Sequence, residues 1–362
     1  MGLSAEPTIQ SVSVRAVKVP MAEPHRTASG VVAESPLVLT DIKTDQGVVG
    51  SSMVFTYTPA ALSPTGDLIR NIGAMLTDVP LAPRQVHQDL TARMRLLGSQ
   101  GLVGMALAAI DMALWDALAK TRECSLMSLL GGSARPIPAY GAVGFDGIAG
   151  SAKTAEQWAA KGFTAVKAKI GYASAQEDLA VVRAMRSAVG PDVSIMVDYN
   201  QSLLPAEAIA RIRVLDQEGL VWIEEPTLAH DYAGHATVAA AVDTPIQAGE
   251  NWWGPADMRL AIQAKASDYL MPDVMKIGGV TGWMQAAALA ATENLKVSNH
   301  LWPEISARLM SCTPTAHWLE YADWWNPVLA RPLQVDKGMA IPDNEPGTGV
   351  SWNEAAIDQL LV

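Results

Sequence analysis

The amino-acid sequence predicts an α/β fold, a modified (β/α)8 barrel of the TIM type that carries an α+β capping domain. Three observations lead there. The first 137 residues place strand-like runs ahead of a block of helical patterns, as in a separate α+β unit. Beyond residue 136, short β-rich runs alternate with helical periodicity, as βα units do. Eight such runs fall within roughly 190 residues, the length of a barrel with an abbreviated last unit.

In the cap, residues 9–20 (IQSVSVRAVKVP) alternate apolar and polar side chains, the period of a half-buried strand. Residues 36–55 read as two strands around a turn at Asp45-Gln46-Gly47. Between these runs, AEPHRTASG (22–30) has the Pro and Gly punctuation of a polar loop. Helical patterns follow near 59–76, 84–97 and 103–121, and in the last of them Asp111 and Asp116 interrupt an otherwise apolar helix. The barrel runs are IPAYGAV, TAVKAKI, SIMVDYN, VWIEEP, TPIQAGE, YLMPDVM, LKVSNH and HWLEY. Helical periodicity fills most gaps, as at 175–189 and 205–218. The expected division is a cap at 1–137, a barrel at 138–325 and a C-terminal segment at 326–362 that returns to the cap and ends in the helix-like NEAAIDQLLV.

Composition narrows the function classes. With 26 basic and 37 acidic residues the chain carries a net charge of −11. Such a protein is repelled by phosphate, so neither nucleic acid nor an anionic membrane is an expected partner. Two cysteines, Cys124 and Cys312, are too few for a disulfide framework and suit a reducing compartment. MGLSAEPTIQ lacks the basic-then-apolar order of a secretory signal. The apolar stretch Gly101–Trp115 is broken by Asp111 and reads as too short for a bilayer. A soluble, cytoplasmic enzyme is expected.

The chemistry is written at the ends of the barrel runs. Lys167 and Lys169 close one run, and Asp198, Glu224, Glu250, Asp273, His300 and Glu320 follow Lys169 at successive intervals of 29, 26, 26, 23, 27 and 20 residues. In a parallel barrel the C-terminal strand ends ring one mouth, so these side chains converge there. Burying so many charges is costly unless they pair or bind metal. Three carboxylates on consecutive strands, Asp198, Glu224 and Glu250, with no thiol or imidazole among them, suit Mg²⁺. Any one of them alone reads equally as a helix cap or a surface charge. Lys167 and Lys169 are two residues apart on a strand and point to one face, the barrel interior. Beside carboxylates, a lysine there serves as an ion-pair partner or, deprotonated, as a base. Asp273 can fix the tautomer of His300 and leave its other nitrogen as an acid or base. Glu320, in the apolar setting Trp318-Leu319, has two open readings: a protonated carboxyl that donates to an oxyanion, or a partner for a cation. His87, His230, His235 and His317 read as satisfied core or cap residues.

Long ordered strings carry a family signature: AAIDMALWDALAK (108–120), VKAKIGY (166–172), VDYNQSL (197–203), WIEEPTLAHDYAGH (222–235), GENWWGP (249–255), MPDVMKIGGVTGW (271–283), NHLWPEISA (299–307) and TPTAHWLE (313–320). In these the chain resembles the enolase superfamily, and within it the mandelate racemase group. The resemblance implies an active site between cap and barrel, with Mg²⁺ on Asp198, Glu224 and Glu250. It implies Lys169 as the base on one face of a carboxylate substrate and His300, paired with Asp273, on the other. Lys167 would neutralise the substrate carboxylate, Glu320 would hydrogen-bond it, Asn200 would meet the α-hydroxyl, and Tyr57 would serve as the cap tyrosine. Lys276 would be a structural partner near Asp273. A homo-oligomer is implied, an octamer among the assemblies in keeping with the group.

The departures bear on substrate. His25 and Ser29 stand where the group presents small apolar side chains, while Val32 is retained; Ala142 replaces a serine and Ala322 a leucine. His25 and Arg26 either face the substrate or belong to a solvated loop. The expected activity is racemisation of a mandelate-like 2-hydroxy acid through an enolate. The alternatives are an acid-sugar dehydratase giving a 2-keto-3-deoxy acid and a catalytically retired homologue.

Overall fold

The computed structural model describes residues 6–27 and 30–362. The first half of the N-terminal stretch read for a leader, residues 1–5, falls outside the described residues, as does Ser29.

Three antiparallel strands open the chain: β1 (Ile9–Thr27), β2 (Gly30–Thr44) and β3 (Val49–Phe55). The segment expected as a polar loop is instead the end of a β1–β2 ribbon. Pairing breaks between Pro20 and His25, then resumes at His25↔Val32, Arg26↔Val31 and Thr27↔Gly30. Pro20 and Pro24 each lack an N–H, so the ladder fails there and the side-chain alternation with it, but the backbone stays extended.

Helices α1 (Leu62–Gly73), α2 (Pro83–Arg93), α3 (Gly101–Thr121) and α4 (Leu126–Leu129) follow. The stretch read as too short for a bilayer is part of α3. At 21 residues, α3 is long and apolar enough to cross one, but 83 % of its most apolar window is buried inside the protein. A helix apolar all round belongs in a core, and α3 is packed between the cap sheet and the barrel. At Gly50 of β3 the sheet comes so close that a Cβ would lie 2.1 Å from the Ala113 carbonyl oxygen. The two interrupting aspartates are joints. Asp111 accepts from the Thr281 N–H (2.9 Å) and hydroxyl (2.5 Å) of the barrel. Asp116 accepts from the Ser51 N–H (2.8 Å) and from the Thr348 N–H (2.6 Å) near the C-terminus.

Eight parallel strands form the barrel: β4 (Ile137–Val143), β5 (Ala165–Lys169), β6 (Ser194–Asp198), β7 (Ile223–Glu224), β8 (Ile246–Ala248), β9 (Tyr269–Leu270), β10 (Lys296–Val297) and β11 (Leu319–Tyr321). Each of β4 to β9 pairs with the next, β11 pairs with β4, and a Val297↔Ala316 bridge links β10 to the run before β11. The connecting helices are α5 (Gly147–Ala160), α6 (Ala175–Val189), α7 (Pro205–Leu215), α8 (Tyr232–Ala239), α9 (Gly254–Ala264), α10 (Gly279–Thr292) and α11 (Pro303–Ser311). A single 3-10 turn, Asn326–Val328, follows β11 where an eighth connecting helix would lie. The tail forms a hairpin, β12 (Gln334–Asp336) and β13 (Met339–Ile341), whose β13 pairs antiparallel with β4. It then reaches the cap through α12 (Glu354–Leu360), where Val362 donates to the Ala16 carbonyl (3.1 Å).

Candidate active site

Strand register brings the first polar residues together. Lys169 on β5 lies opposite Asp198 on β6, and Asp198 opposite Glu224 on β7. Glu250 follows β8 at Gly249, whose φ of +140° turns the chain at the mouth. One carboxylate oxygen from each of Asp198, Glu224 and Glu250 lies within 4.8 Å of the other two, and all three residues are buried. Buried charge of one sign demands a counter-ion. Six carboxylates (Asp198, Glu224, Glu225, Glu250, Asp273, Glu320) gather here with Lys167, Lys169, Lys276 and His300. The excess of negative charge, the all-oxygen donor set and a Glu250 Oε2 with no hydrogen-bond partner fit a hard divalent cation.

Lys167, 2 % exposed, is held between Glu224 Oε1 (2.6 Å) and Glu320 Oε1 (2.8 Å). Burial opposes its charge, but these anions outweigh it and its pKa stands well above the ordinary value. The contact fits the second of the two readings of Glu320, a partner for a cation. Its neutral form would be favoured by burial alone, yet Lys167 and His300 hold its pKa below the usual carboxylate range. Its Oε2 accepts from the Leu301 N–H (2.9 Å). Glu320 is thus placed as an ion-pair partner of Lys167.

Lys169 reaches Asp198 Oδ2 (2.5 Å), and Asp198 also accepts from the Asn200 backbone N–H (2.6 Å) and side-chain amide (2.9 Å). Burial pushes the lysine toward neutrality, but Asp198 keeps its pKa above the ordinary value. Burial raises Glu224 to about 8 against the pull of Lys167. In Glu250 the attraction of His300 and the lysines overcomes burial, and the pKa is low.

His300 Nδ1 lies 2.7 Å from Asp273 Oδ2, and its Nε2 lies 3.4 Å from Glu250 Oε2. Burial disfavours the imidazolium, but Glu250 and Asp273 more than compensate, and the pKa is raised. Asp273 is fully buried, and its Oδ1 accepts from Met275 N–H (2.7 Å), Lys276 N–H (3.2 Å) and Trp302 Nε1–H (3.0 Å). Every hydrogen bond to its two oxygens comes from a fixed donor, which locks the carboxylate facing His300.

A cavity of about 420 Å³ opens between cap and barrel. From the barrel it is lined by Lys169, Asn200, Gln201, Glu250, His300 and Trp324, among others. The cap contributes His25, Val32, Phe55 and Tyr57. His25 therefore faces the cavity at 9 % exposure, whereas Arg26, one residue on, points outward and pairs with Asp146 at 3.8 Å. The Lys276 ammonium does not stay with Asp273. It bonds Asn251 Oδ1 (2.6 Å), lies 4.7 Å from the Tyr57 ring centre and lines the cavity. Ala142 is in register with Lys167, on the same interior face.

Glu225, Gln201, Asn251, Leu301 and Trp324 escaped sequence reasoning. Glu225 is buried beside the triad, accepts from Asn251 Nδ2 (2.8 Å), and burial with nearby Glu250 raises its pKa far above the usual range. The doubled acid of IEEP was the available signal. The remaining histidines lie outside this cavity, and three are not fully satisfied: His87 Nδ1, His235 Nε2 and His317 Nδ1 are buried without hydrogen-bond partners.

Comparison with known proteins gives a consistent result. Residues 9–131 match the N-terminal domain of the mandelate racemase/muconate lactonizing enzyme family, and residues 150–356 match the enolase C-terminal domain-like family. A Bradyrhizobium enolase, solved in complex with magnesium and mandelic acid, is 44 % identical with a TM-score of 0.96, covering 99 % of this chain and 100 % of that one. L-Talarate dehydratase from Polaromonas sp. JS666, solved with Mg and L-glucarate, is 28 % identical with a TM-score of 0.92, covering 98 % of each chain. The L-talarate/galactarate dehydratase of Salmonella typhimurium is 32 % identical over 72 % of this chain and 66 % of that enzyme.

Proposed function

The chain belongs to the mandelate racemase/muconate lactonizing enzyme family of the enolase superfamily, and from that premise we propose that it is a Mg²⁺-dependent racemase of an aromatic 2-hydroxy carboxylate. The observation that carries the proposal is the pair of proton-transfer groups. Lys169 and His300 come from different parts of the barrel and line one cavity beside the three carboxylates.

Removing the α-proton of a carboxylate creates an enolate with a second negative charge, which water does not stabilise at neutral pH. Mg²⁺ on Asp198, Glu224 and Glu250 would supply Lewis-acid stabilisation of that charge and take up the anion that otherwise keeps Lys169 protonated. Lys167 receives the substrate carboxylate as a buried, permanently charged cation. Glu320 holds Lys167 in place and keeps it charged. Asn200, fixed by Asp198, presents its amide to the α-hydroxyl. Lys169 removes or returns the proton on one face of the α-carbon, and His300, oriented by Asp273, does so on the other. A proton taken on one face and delivered on the other inverts the centre. The ring contacts Phe55–Tyr57 (4.7 Å) and Phe55–Trp324 (6.1 Å) make an aromatic wall suited to an aryl side chain.

A second reading is an acid-sugar dehydratase, in which His300 protonates a departing β-hydroxyl. It is favoured by the likeness to talarate dehydratases and by polar His25, Gln201 and Lys276 on the cavity wall. One experiment separates them. Each enantiomer of mandelate, incubated with Mg²⁺-loaded protein in D₂O, is followed by proton NMR and polarimetry, and a panel of sugar acids is assayed for 2-keto acid with semicarbazide. Racemisation with α-deuteration is expected; 2-keto-3-deoxy product without racemisation would replace the first reading by the second.

A further inference from the structure

Cavity walls in this protein are finished by the tip of the β1–β2 ribbon. His25 and Val32 are a cross-strand pair, so their side chains share one face of the ribbon. Both line the cavity. The next rung, Arg26 and Val31, faces solvent, at 61 % exposure for the Arg26 side chain and 58 % for Val31. The alternation of the strand therefore aims the imidazole inward, as a built feature of the ribbon.

The His25 ring packs against Trp324 with centroids 4.8 Å apart, and Trp324 lies 6.1 Å from Phe55. The imidazole thus prolongs the aromatic wall while adding nitrogen atoms to it. Burial, followed by the nearby Lys169 charge, lowers the His25 pKa to about 3. At neutral pH the ring is uncharged, with one N–H donor and one lone-pair acceptor. The residue is only 9 % exposed and lines the cavity, so a molecule that fills that space meets the ring. A polar group so enclosed favours a ligand that satisfies it and disfavours one that strips its water without replacement.

Resting on the racemase reading above, we infer that His25 is a specificity-determining residue that hydrogen-bonds a hydroxyl on the substrate's aromatic ring, so that ring-hydroxylated aryl 2-hydroxy acids are preferred over the unsubstituted acid. The neutral imidazole can donate to the phenolic oxygen or accept from its O–H, and the substrate ring lies against the aromatic wall.

Binding is measured separately from turnover. Mg²⁺-loaded protein is titrated calorimetrically with racemic mandelate and with its racemic 2-, 3- and 4-hydroxy derivatives, whose composition racemisation does not alter. At least one derivative is expected to bind about tenfold tighter than mandelate. His25→Phe, which keeps a ring against Trp324, should abolish that preference, and His25→Gln, which keeps a donor and an acceptor, should retain part of it. Equal affinities in the unmodified protein, or a preference that survives His25→Phe, would overturn the inference. Racemisation of the same acids is followed by polarimetry. A binding preference lost in His25→Phe, without racemisation in any variant, would uphold His25 and strike the racemase reading alone.

Discussion

Replacing Asp273 by Asn tests the two-base arrangement with little disturbance of shape. Oδ1 of Asp273 accepts from three donors, Met275 N–H, Lys276 N–H and Trp302 Nε1–H, while Oδ2 faces only the His300 ring. An asparagine keeps the three donors satisfied by placing its carbonyl oxygen at Oδ1, so its NH₂ must face His300 Nδ1. That amide donates to Nδ1 and forces the proton onto Nε2, the nitrogen directed at Glu250 and the cavity. The imidazole then has no lone pair for the α-proton and has lost the Asp273 anion that helps to stabilise its charged form. Three hydrogen bonds lose their charge assistance, at about 0.5–1 kcal/mol each, so the protein should lose about 1.5–3 kcal/mol and remain folded. The wrong tautomer of an Asp-oriented histidine costs about 10⁴-fold in rate elsewhere. The assay is α-proton exchange in D₂O on each enantiomer separately, with thermal denaturation in parallel. Exchange should fall about 10⁴-fold for the enantiomer whose proton His300 removes and stay within about tenfold for the other. If both enantiomers exchange at near unmodified rates, His300 is not a base under the control of Asp273.

Removal of the Lys167 charge by Lys167→Met leaves Glu224 and Glu320 buried without their cation, at a cost of about 3–5 kcal/mol at pH 7. Glu320, whose pKa is depressed in the folded protein, contributes stability above the unfolded carboxylate range that is lost only as pH falls below it. In the variant the stranded carboxylates take up protons more readily folded than unfolded, so the deficit should shrink between pH 7 and 5, read by urea titration at both. Glu250→Gln should weaken Mg²⁺ binding by at least about tenfold in calorimetry, since it removes one of three anionic oxygens. Gly279→Ala, at φ +71° with its Cβ 2.4 Å from Asp111 Oδ2, should cost about 2–4 kcal/mol in denaturant unfolding through backbone strain and overpacking.

The barrel was legible because each βα unit repeats one grammar, an apolar run closed by a polar residue, and the repeat spacing placed Asp198, Glu224, Glu250, Asp273, His300 and Glu320 at one mouth before any coordinates. What the sequence hid lies where strand geometry stops. Tyr57, Asn200, Gln201, Glu225, Leu301 and Trp302 all have positive φ, between 37° and 62°. At such residues successive side chains no longer alternate between two faces, so counting by twos does not say which neighbour enters the cavity. Gln201 and Glu225 were missed for that reason. The partner of Glu320 was hidden differently: its sequence neighbours are apolar, whereas Lys167, which lies 2.8 Å from it, is far away in sequence. The β1–β2 ribbon was lost to its prolines, which interrupt hydrogen bonding without ending extension.

The two aspartates of α3 have a consequence for how the protein comes apart. Fifteen of the 21 residues of this helix are buried, and Asp111 and Asp116 accept backbone N–H groups from the barrel, the cap sheet and the C-terminal segment. A cap that lifted away would expose apolar surface around α3 and leave donors on three other parts of the chain unpaired. Loss of one unit therefore removes support from the other, and a single cooperative transition is the expected mode of unfolding. A cavity walled by both units lasts only as long as that cooperativity does.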